Sequence, residues 1–420
     1  MLRFVILAAL LLSPATLAGA GERVVEATGG ALARALQTAQ AGDILRLSPG
    51  TYAGPITIDK AITLDGGGQA AVQGSGTGSV ITITAPDVTV TGLIVSGSGS
   101  DGGARDAGVQ LTPQAARAQV LRNQLLGNLV GVDVHGSPDA LVARNIIQGR
   151  QDFRMNDRGN GVYVWNAPGT RVIGNDLRWG RDGIFVNTSK NNDFSDNLFR
   201  DLRFAVHYMY AHDSRVSGNI SVGNHLGYAV MNSNNVVIEG NLSRNDRDHG
   251  IMLNFTNDSL LRNNWIEAVA GKCAFVYNAH KNRIEGNRFQ ACGTGIHFTA
   301  GSERNEITGN GFVGNRVQVQ SESTAWVDWA IDGRGNYWSD HNGFDLDGDG
   351  IADSTYRPND TIDRLLWTQP AAAALLGSPA VQLLRWSQSR FPALLPGGIF
   401  DSAPLMGAVA PRQPQWEDVK

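Results

Sequence analysis

Soft donors recur at one interval in the middle of the chain. Met209, Met231 and Met252, three of the six methionines, lie about one 22-residue step apart, with His207 just before the first and His212 just after it. Thioether sulfur and imidazole nitrogen together suit Cu(I), bound transiently. The same residues also suit an apolar face covered by a partner, because methionine fills irregular contacts. Hard donors stand elsewhere. In DHNGFDLDGDGIADSTY (340–356), Asp345, Asp347, Asp349 and Asp353 take places 1, 3, 5 and 9 of an acidic loop. Gly350 takes place 6, where an EF-hand turns sharply, but Tyr356 at place 12 excludes a true EF-hand. Ca²⁺ is the candidate ion, and a solvated acidic turn is the alternative.

Other chemistry is thin. Cys273 and Cys292 are the two cysteines. In an oxidising compartment they can pair, or remain as buried thiols. A glycosidase needs two carboxylates flanking a cleft. Here Asp133 stands alone in its column, and Asp157, Arg158 and Asp182 gather near an insertion after Gln151. No Ser-His-Asp order or zinc motif is present, so no catalytic residue is assigned.

A ladder of asparagines positions these residues. Asn123, Asn145, Asn175, Asn197, Asn219, Asn241, Asn264, Asn287 and Asn310 recur at 22 or 23 residues, with one step of 30 after Asn145. Asn336 is a last, delayed member, and Gly92 takes the ladder place before Asn123. A unit this short cannot bury a core alone, so neighbours must stack. Within each unit a small residue is followed by apolar-any-apolar, as in GVYV from Gly161, GIFV from Gly183 and AVHY from Ala205. Alternation of period two means half-buried strands. The expected fold is all-β, a right-handed parallel β-helix with coils of 22–23 residues and asparagine hydrogen-bonded along a corner. Leucine-rich repeats lack this pattern.

The alternation also assigns the outward places. One outward column reads Asp133, Tyr163, Phe185, His207, Met231, Met252, Val276 and His297, and the next contains His135, Trp165 and Met209. Between Ala205 and Ala229 the small-residue motif runs two residues late against the ladder.

The ends depart from the repeat. Arg3, the apolar run Phe4–Leu12 and the small residues Ala18 and Ala20 predict a cleaved signal peptide over 1–20, hence export to the periplasm. Residues 21–79 read as a helical cap, with a helix over Ala31–Ala39 ended by Gly42, and first coils. Residues 80–338 form the β-helix and 339–360 hold the acidic loop. Residues 361–420 form an apolar, partly helical extension. Leu383, Leu384, Trp386 and Phe391 are too much apolar surface for a bare tail, so the extension either caps the last coil or docks on a partner. A net charge of -4 gives no footprint for nucleic acid.

The combination RMNDRGNGVYVWN, GRDGIFVNTSKNN, RFAVHYMYAHDS, GNYWSDHNGFDLDGDGIAD and LLWTQPAAAALLGSPAVQLLRWSQSRFPALLPGG resembles the NosD family of periplasmic maturation proteins for nitrous oxide reductase. That family lies within the carbohydrate-binding and sugar-hydrolase type of β-helices. The resemblance covers nearly all of the chain after the signal peptide. It implies an accessory protein of denitrification rather than an enzyme. Such a protein sits peripherally on an inner-membrane ABC transporter of permease and ATPase. It helps to assemble the copper–sulfur cluster of the reductase, with a copper-chaperone lipoprotein as donor. The apolar tail would then suit docking on the permease. His207, Met209, His212, Met231 and Met252 would suit copper, the chaperone or the reductase, a role inferred from their face and not assigned by the resemblance. A periplasmic carbohydrate lyase, hydrolase or epimerase is the alternative, since the fold hosts both.

Overall fold

The computed structural model describes residues 21–299, 301–321, 325–391 and 397–415; the expected signal peptide lies outside them. From Gln119 to Ser321 each coil is built from two three-residue strands joined at a tight corner, then a longer strand that closes the turn. In one coil these are Arg171–Ile173, Asp176–Arg178 and Asp182–Lys190. Like strands of successive coils pair in parallel. The long strands make a twelve-stranded sheet from Ile56–Ile58 to Val317–Ser321. The fold is thus a parallel β-helix, nearly all β.

The corner explains the ladder. The residue before each asparagine from Asn123 to Asn310 is left-handed, as at Arg144 (φ 56°), Gly174 (φ 66°) and Gly218 (φ 64°), which turns the chain between the two short strands. Asparagine then satisfies what the turn leaves open. The Asn197 backbone N–H donates to Asn219 Oδ1 at 2.9 Å. Asn197 Nδ2 donates to the same oxygen at 3.0 Å and to the Val172 carbonyl at 2.9 Å. The pattern repeats with sequence separations of 22, 30 and 23 residues, and of 26 at the delayed Asn336. At the start of the ladder the backbone N–H of Leu93, not Gly92, donates to Asn123 Oδ1. Gly92 is the left-handed corner residue (φ 64°) one place earlier.

Both ends of the core are covered. At the N-terminus, helix α1 (Ala31–Thr38) lays Leu32 and Leu36 on the first coils. It stops one residue short of the expected helix, and the strand Glu22–Val25, which the sequence reading lacked, precedes it. At the C-terminus, stacked rings continue the core past the last coil: Phe312 on Trp338 at 4.4 Å, then Trp338 on Tyr356 at 4.6 Å. The segment that closes this end is Gly398–Leu405, whose Ile399 and Leu405 are buried. It pairs with Trp326–Asp328 and bridges to Tyr337, Ile351 and Tyr356. Beyond it the chain turns back along the outside of the solenoid, where Arg288 donates to the Val409 carbonyl and Arg244 to Gln413.

Helices α2 (Thr361–Thr368) and α3 (Pro379–Arg390) form a separate layer. A capping box between Asp360 and Asp363 starts α2. Arg385 of α3 reaches Asp360 at 3.1 Å and Asp363 at 3.0 Å, which ties the helices together. Among the described residues no helix is long and apolar enough to cross a membrane.

Candidate functional site

The register of the twelve-stranded sheet orders its outer face. One column runs Asp133, Tyr163, Phe185, His207, Ala229, Met252, Phe275 and His297. The next runs His135, Trp165, Asn187, Met209, Met231, Asn254 and Tyr277. This corrects the sequence-based columns. Met231 belongs beside Met209 and not under His207, and Phe275 replaces Val276. The reason is packing. Tyr228 and Ala274 take the inward apolar places, so the small places are Gly227 and Cys273, and the two-residue lag after Ala205 disappears. His207 and Met252 share a column with only the small Ala229 between them, two strand spacings of ~4.8 Å each.

Met252, Leu226 and Ala229 pack with Phe204, Met231 and Phe275 into one apolar patch on this outer face, separate from the main core. His207 lies at its edge, its ring against Phe204 at 4.9 Å and Phe185 at 4.8 Å. Its Nδ1 is 3.1 Å from Asp182 Oδ2. Asp182 is fully buried and also accepts both Nε and Nη2 of Arg203, at 2.8 and 2.7 Å. Burial alone would raise its pKa, but the bonds from His207 and Arg203 outweigh that and hold it below the ordinary carboxylate value. An ionised carboxylate only accepts, so Nδ1 carries the hydrogen. In the neutral ring Nε2 keeps its lone pair, and it is buried without a partner among the described residues. A carboxylate fixing one imidazole nitrogen while the other stays bare is the outer-shell arrangement of histidine metal ligands.

His212 does not join this group. Tyr210, left-handed at φ 52°, turns the strand, and His212 Nδ1 accepts the Asn234 N–H at 3.1 Å on the next corner. Two other histidines do join the face. His249, nearly buried, stands in the column before Met252 and 5.0 Å from Phe275. His297 lies 5.2 Å from Phe275 on the other side, with neither ring nitrogen partnered among the described residues. Burial, then the charges of Lys272 and His249, lower the His297 pKa to about 4, so its ring is neutral near pH 7. His249 escaped the sequence reading because it opens its strand and the next two residues, Gly250 and Ile251, both face inward. The residue before a small one therefore points out, against strict alternation. His297 was placed in its column but not singled out.

The remaining candidates are spread apart. Asp133 is not an isolated surface charge: it is fully buried, and its Oδ2 accepts from Arg105 at 3.3 Å and Gln110 at 3.2 Å. Asp345, Asp347 and Asp349 bring carboxylate oxygens within 4.8 Å of one another. The Asp353 carboxylate instead accepts the Leu346 N–H at 2.7 Å. Backbone N–H groups of Gly350 and then Gly348 hold the Asp345 pKa below the ordinary range. Cys273 and Cys292 form a disulfide, with Cα atoms 5.7 Å apart. Leu383, Leu384, Trp386 and Phe391 are all exposed, at 48 % to 63 %. The core end is covered by Gly398–Leu405, so α3 leaves its apolar residues outward.

Comparison with known proteins places the chain in a family. The family described as "Periplasmic copper-binding protein (NosD)" matches residues 143–343. A protein of Stutzerimonas stutzeri named "Probable ABC transporter binding protein NosD" is 40 % identical over 375 residues, 86 % of each chain. A Pseudomonas aeruginosa protein of the same name is 40 % identical over 86 % of this chain and 87 % of its own. Among solved structures, the PL6 family alginate lyase AlyGC superposes with a TM-score of 0.53 at 15 % identity, covering 74 % of this chain and 54 % of that one. A likeness that remote shows the coil architecture alone. Identity of 40 % sustained over 86 % of this chain and as much of each relative is of another order: the chain belongs to the NosD family.

Proposed function

We propose that this chain is a periplasmic accessory protein for the maturation of nitrous oxide reductase. In this reading it acts with an inner-membrane ABC transporter, permease and ATPase, in assembling the copper–sulfur cluster, and a copper-chaperone lipoprotein is the donor. The observation that carries the copper reading is His207, its Nδ1 held by Asp182 and its Nε2 without a partner among the described residues, at the edge of the patch that holds Met231 and Met252, with Met209 beside Met231 in the next column. Cu(I) accepts low coordination by such soft donors. His249 and His297 extend the same face and replace His212 in the candidate set. In a Cu(I) titration against a competing chelator, His207→Ala and Met252→Ala are each expected to weaken binding by about tenfold or more, about 1.4 kcal/mol. His212→Ala should change nothing. Unchanged affinity in both of the first two variants would sink direct ligation and leave the patch as a contact for the chaperone or the reductase.

The exposed side of α3 is the surface proposed to dock on the permease. Cutting the chain at residue 360 is a poor test, since it also removes the segment that closes the core. The triple variant Leu383→Ser, Leu384→Ser, Phe391→Ser leaves that closure intact. It is expected to stay folded but no longer to sediment with membranes carrying the transporter; retained sedimentation would remove the docking surface. The acidic loop is proposed to take Ca²⁺ through Asp345, Asp347 and Asp349, hard oxygens of the kind that ion prefers.

A further inference from the structure

Two stretches break the period of the coils: the loop 97–107, and the eight residues added in the 30-residue step between Asn145 and Asn175. They fold toward one place. Gly102 and Arg105 of the first, and Asn156, Asp157 and Arg158 of the second, form opposite walls of a cleft of about 330 Å³. Its floor is the outer face of the twelve-stranded sheet at Tyr163, Arg181 and Phe185. In solenoids, insertions confined to particular coils gather on the binding face.

The lining is specific. Tyr163 and Phe185 stack at 5.3 Å with planes 7° apart, so the two rings form one apolar stack in the floor. Three guanidinium groups surround it, two of them hydrogen-bonded along part of their edge. Arg105 donates through Nε to Asp133. Arg158 donates through Nε to the Phe153 carbonyl at 3.0 Å and through Nη1 to the Trp179 carbonyl at 3.4 Å. Arg181 lies 5.9 Å over the Phe185 ring and approaches Asp182 no nearer than 3.9 Å. Its Nε is buried with no hydrogen-bond partner among the described residues. A buried donor left open is costly unless a ligand completes it. Against the three arginines the cleft wall offers one carboxylate, the exposed Asp157, while Asp133 is already paired with Arg105 and Asp182 with Arg203. The cleft is therefore net positive.

We propose that this cleft binds a small organic anion, with its carboxylate or sulfate on Arg181 and Arg158 and its ring or apolar body on Tyr163 and Phe185. Planar forked donors match such oxyanions bidentately, and the volume lies at the lower end for small-molecule sites. The site adjoins the His207 group, sharing Phe185 and lying beside Asp182, but anion binding there needs no copper.

Calorimetric titration of the purified protein tests this, with glucuronate, benzoate and glucose 6-sulfate as organic probes, inorganic sulfate as the bare anion and glucose as the neutral control. At least one organic anion is expected to bind saturably and tighter than inorganic sulfate, and glucose not at all. Arg181→Gln and Arg158→Gln should each weaken that binding by about tenfold. Tyr163→Ala should weaken the organic anion while leaving inorganic sulfate as it was. An unchanged melting temperature in Arg158→Gln and Tyr163→Ala, both away from the core, separates lost binding from lost folding. The proposal is overturned if none of the organic anions binds at millimolar concentration, if glucose binds as well as glucuronate, or if the arginine variants bind like the wild type.

Discussion

Asp401→Ala is expected to unfold the C-terminal end of the solenoid at markedly lower denaturant than the wild type, at a cost of about 3–5 kcal/mol. Asp401 comes 65 residues after Asn336 and does for it what each later asparagine does for the one before. Its Oδ2 accepts the Asn336 N–H at 2.7 Å and Trp338 Nε1 at 2.8 Å, and its Oδ1 accepts the Ala403 N–H at 3.2 Å. The group is fully buried. Alanine would leave those donors dry and unpartnered. Asp401→Asn keeps an acceptor oxygen of the same shape and is expected to stay within about 1 kcal/mol of the wild type. Trp329 and Trp338 sit in this end of the core, so tryptophan emission reads its unfolding directly. Stacked coils interact mainly with their neighbours, so protection from hydrogen exchange should fall there first and persist in the middle coils. An Asp401→Ala protein as stable as the wild type would show that the ladder needs no terminal acceptor.

The second large effect is a pH dependence. Asp246 is almost wholly buried at another corner, where it accepts from Ser221 at 2.7 Å, from Ser243 at 2.6 Å and from the Asn224 N–H at 2.8 Å. Burial raises its pKa from 3.8 to about 6 despite those bonds. The folded protein therefore holds this proton more tightly than the unfolded chain does. The stabilisation is complete below about pH 3.8 and is lost as pH rises through about 6. A shift of about two units corresponds to about 3 kcal/mol. Asparagine keeps an acceptor for the Asn224 N–H and carries no charge to bury. Asp246→Asn is expected to gain about 3 kcal/mol relative to the wild type between pH 4 and pH 8, measured as the difference of two denaturation series. Parallel series would mean that Asp246 ionises in place at no cost. The opposite sign is expected of Asp182, whose lowered pKa contributes stability above its ordinary value that is lost on acidification.

The repeat was legible because it is local. A left-handed residue followed by asparagine, then a short strand, is a turn that sequence chemistry alone specifies, and its spacing gives the coil. The outer face was legible only in part. Period-two alternation placed His207, Met209 and Met252 correctly but shifted Met231, because Gly227 and Cys273 hold the small places that Ala229 and Ala274 appeared to fill. Which of two neighbouring small residues turns inward depends on the coil beneath, and a linear pattern does not contain that. The partners of the buried carboxylates were hidden for the same reason. Arg105 is 28 residues from Asp133, and Arg203 is 21 from Asp182.

The amino-acid sequence by itself determined the β-helix, its coil length, the soft-donor stretch, the acidic loop and the apolar extension, since each is written in contiguous residues. Only the tertiary structure decided that Asp182 orients His207 and that His249 and His297 belong to the face. It alone decided that Asp401 ends the asparagine ladder and that two separate insertions enclose one arginine-lined cleft. Those arrangements join residues one or more coils apart, and stacking brings them within hydrogen-bond or packing reach.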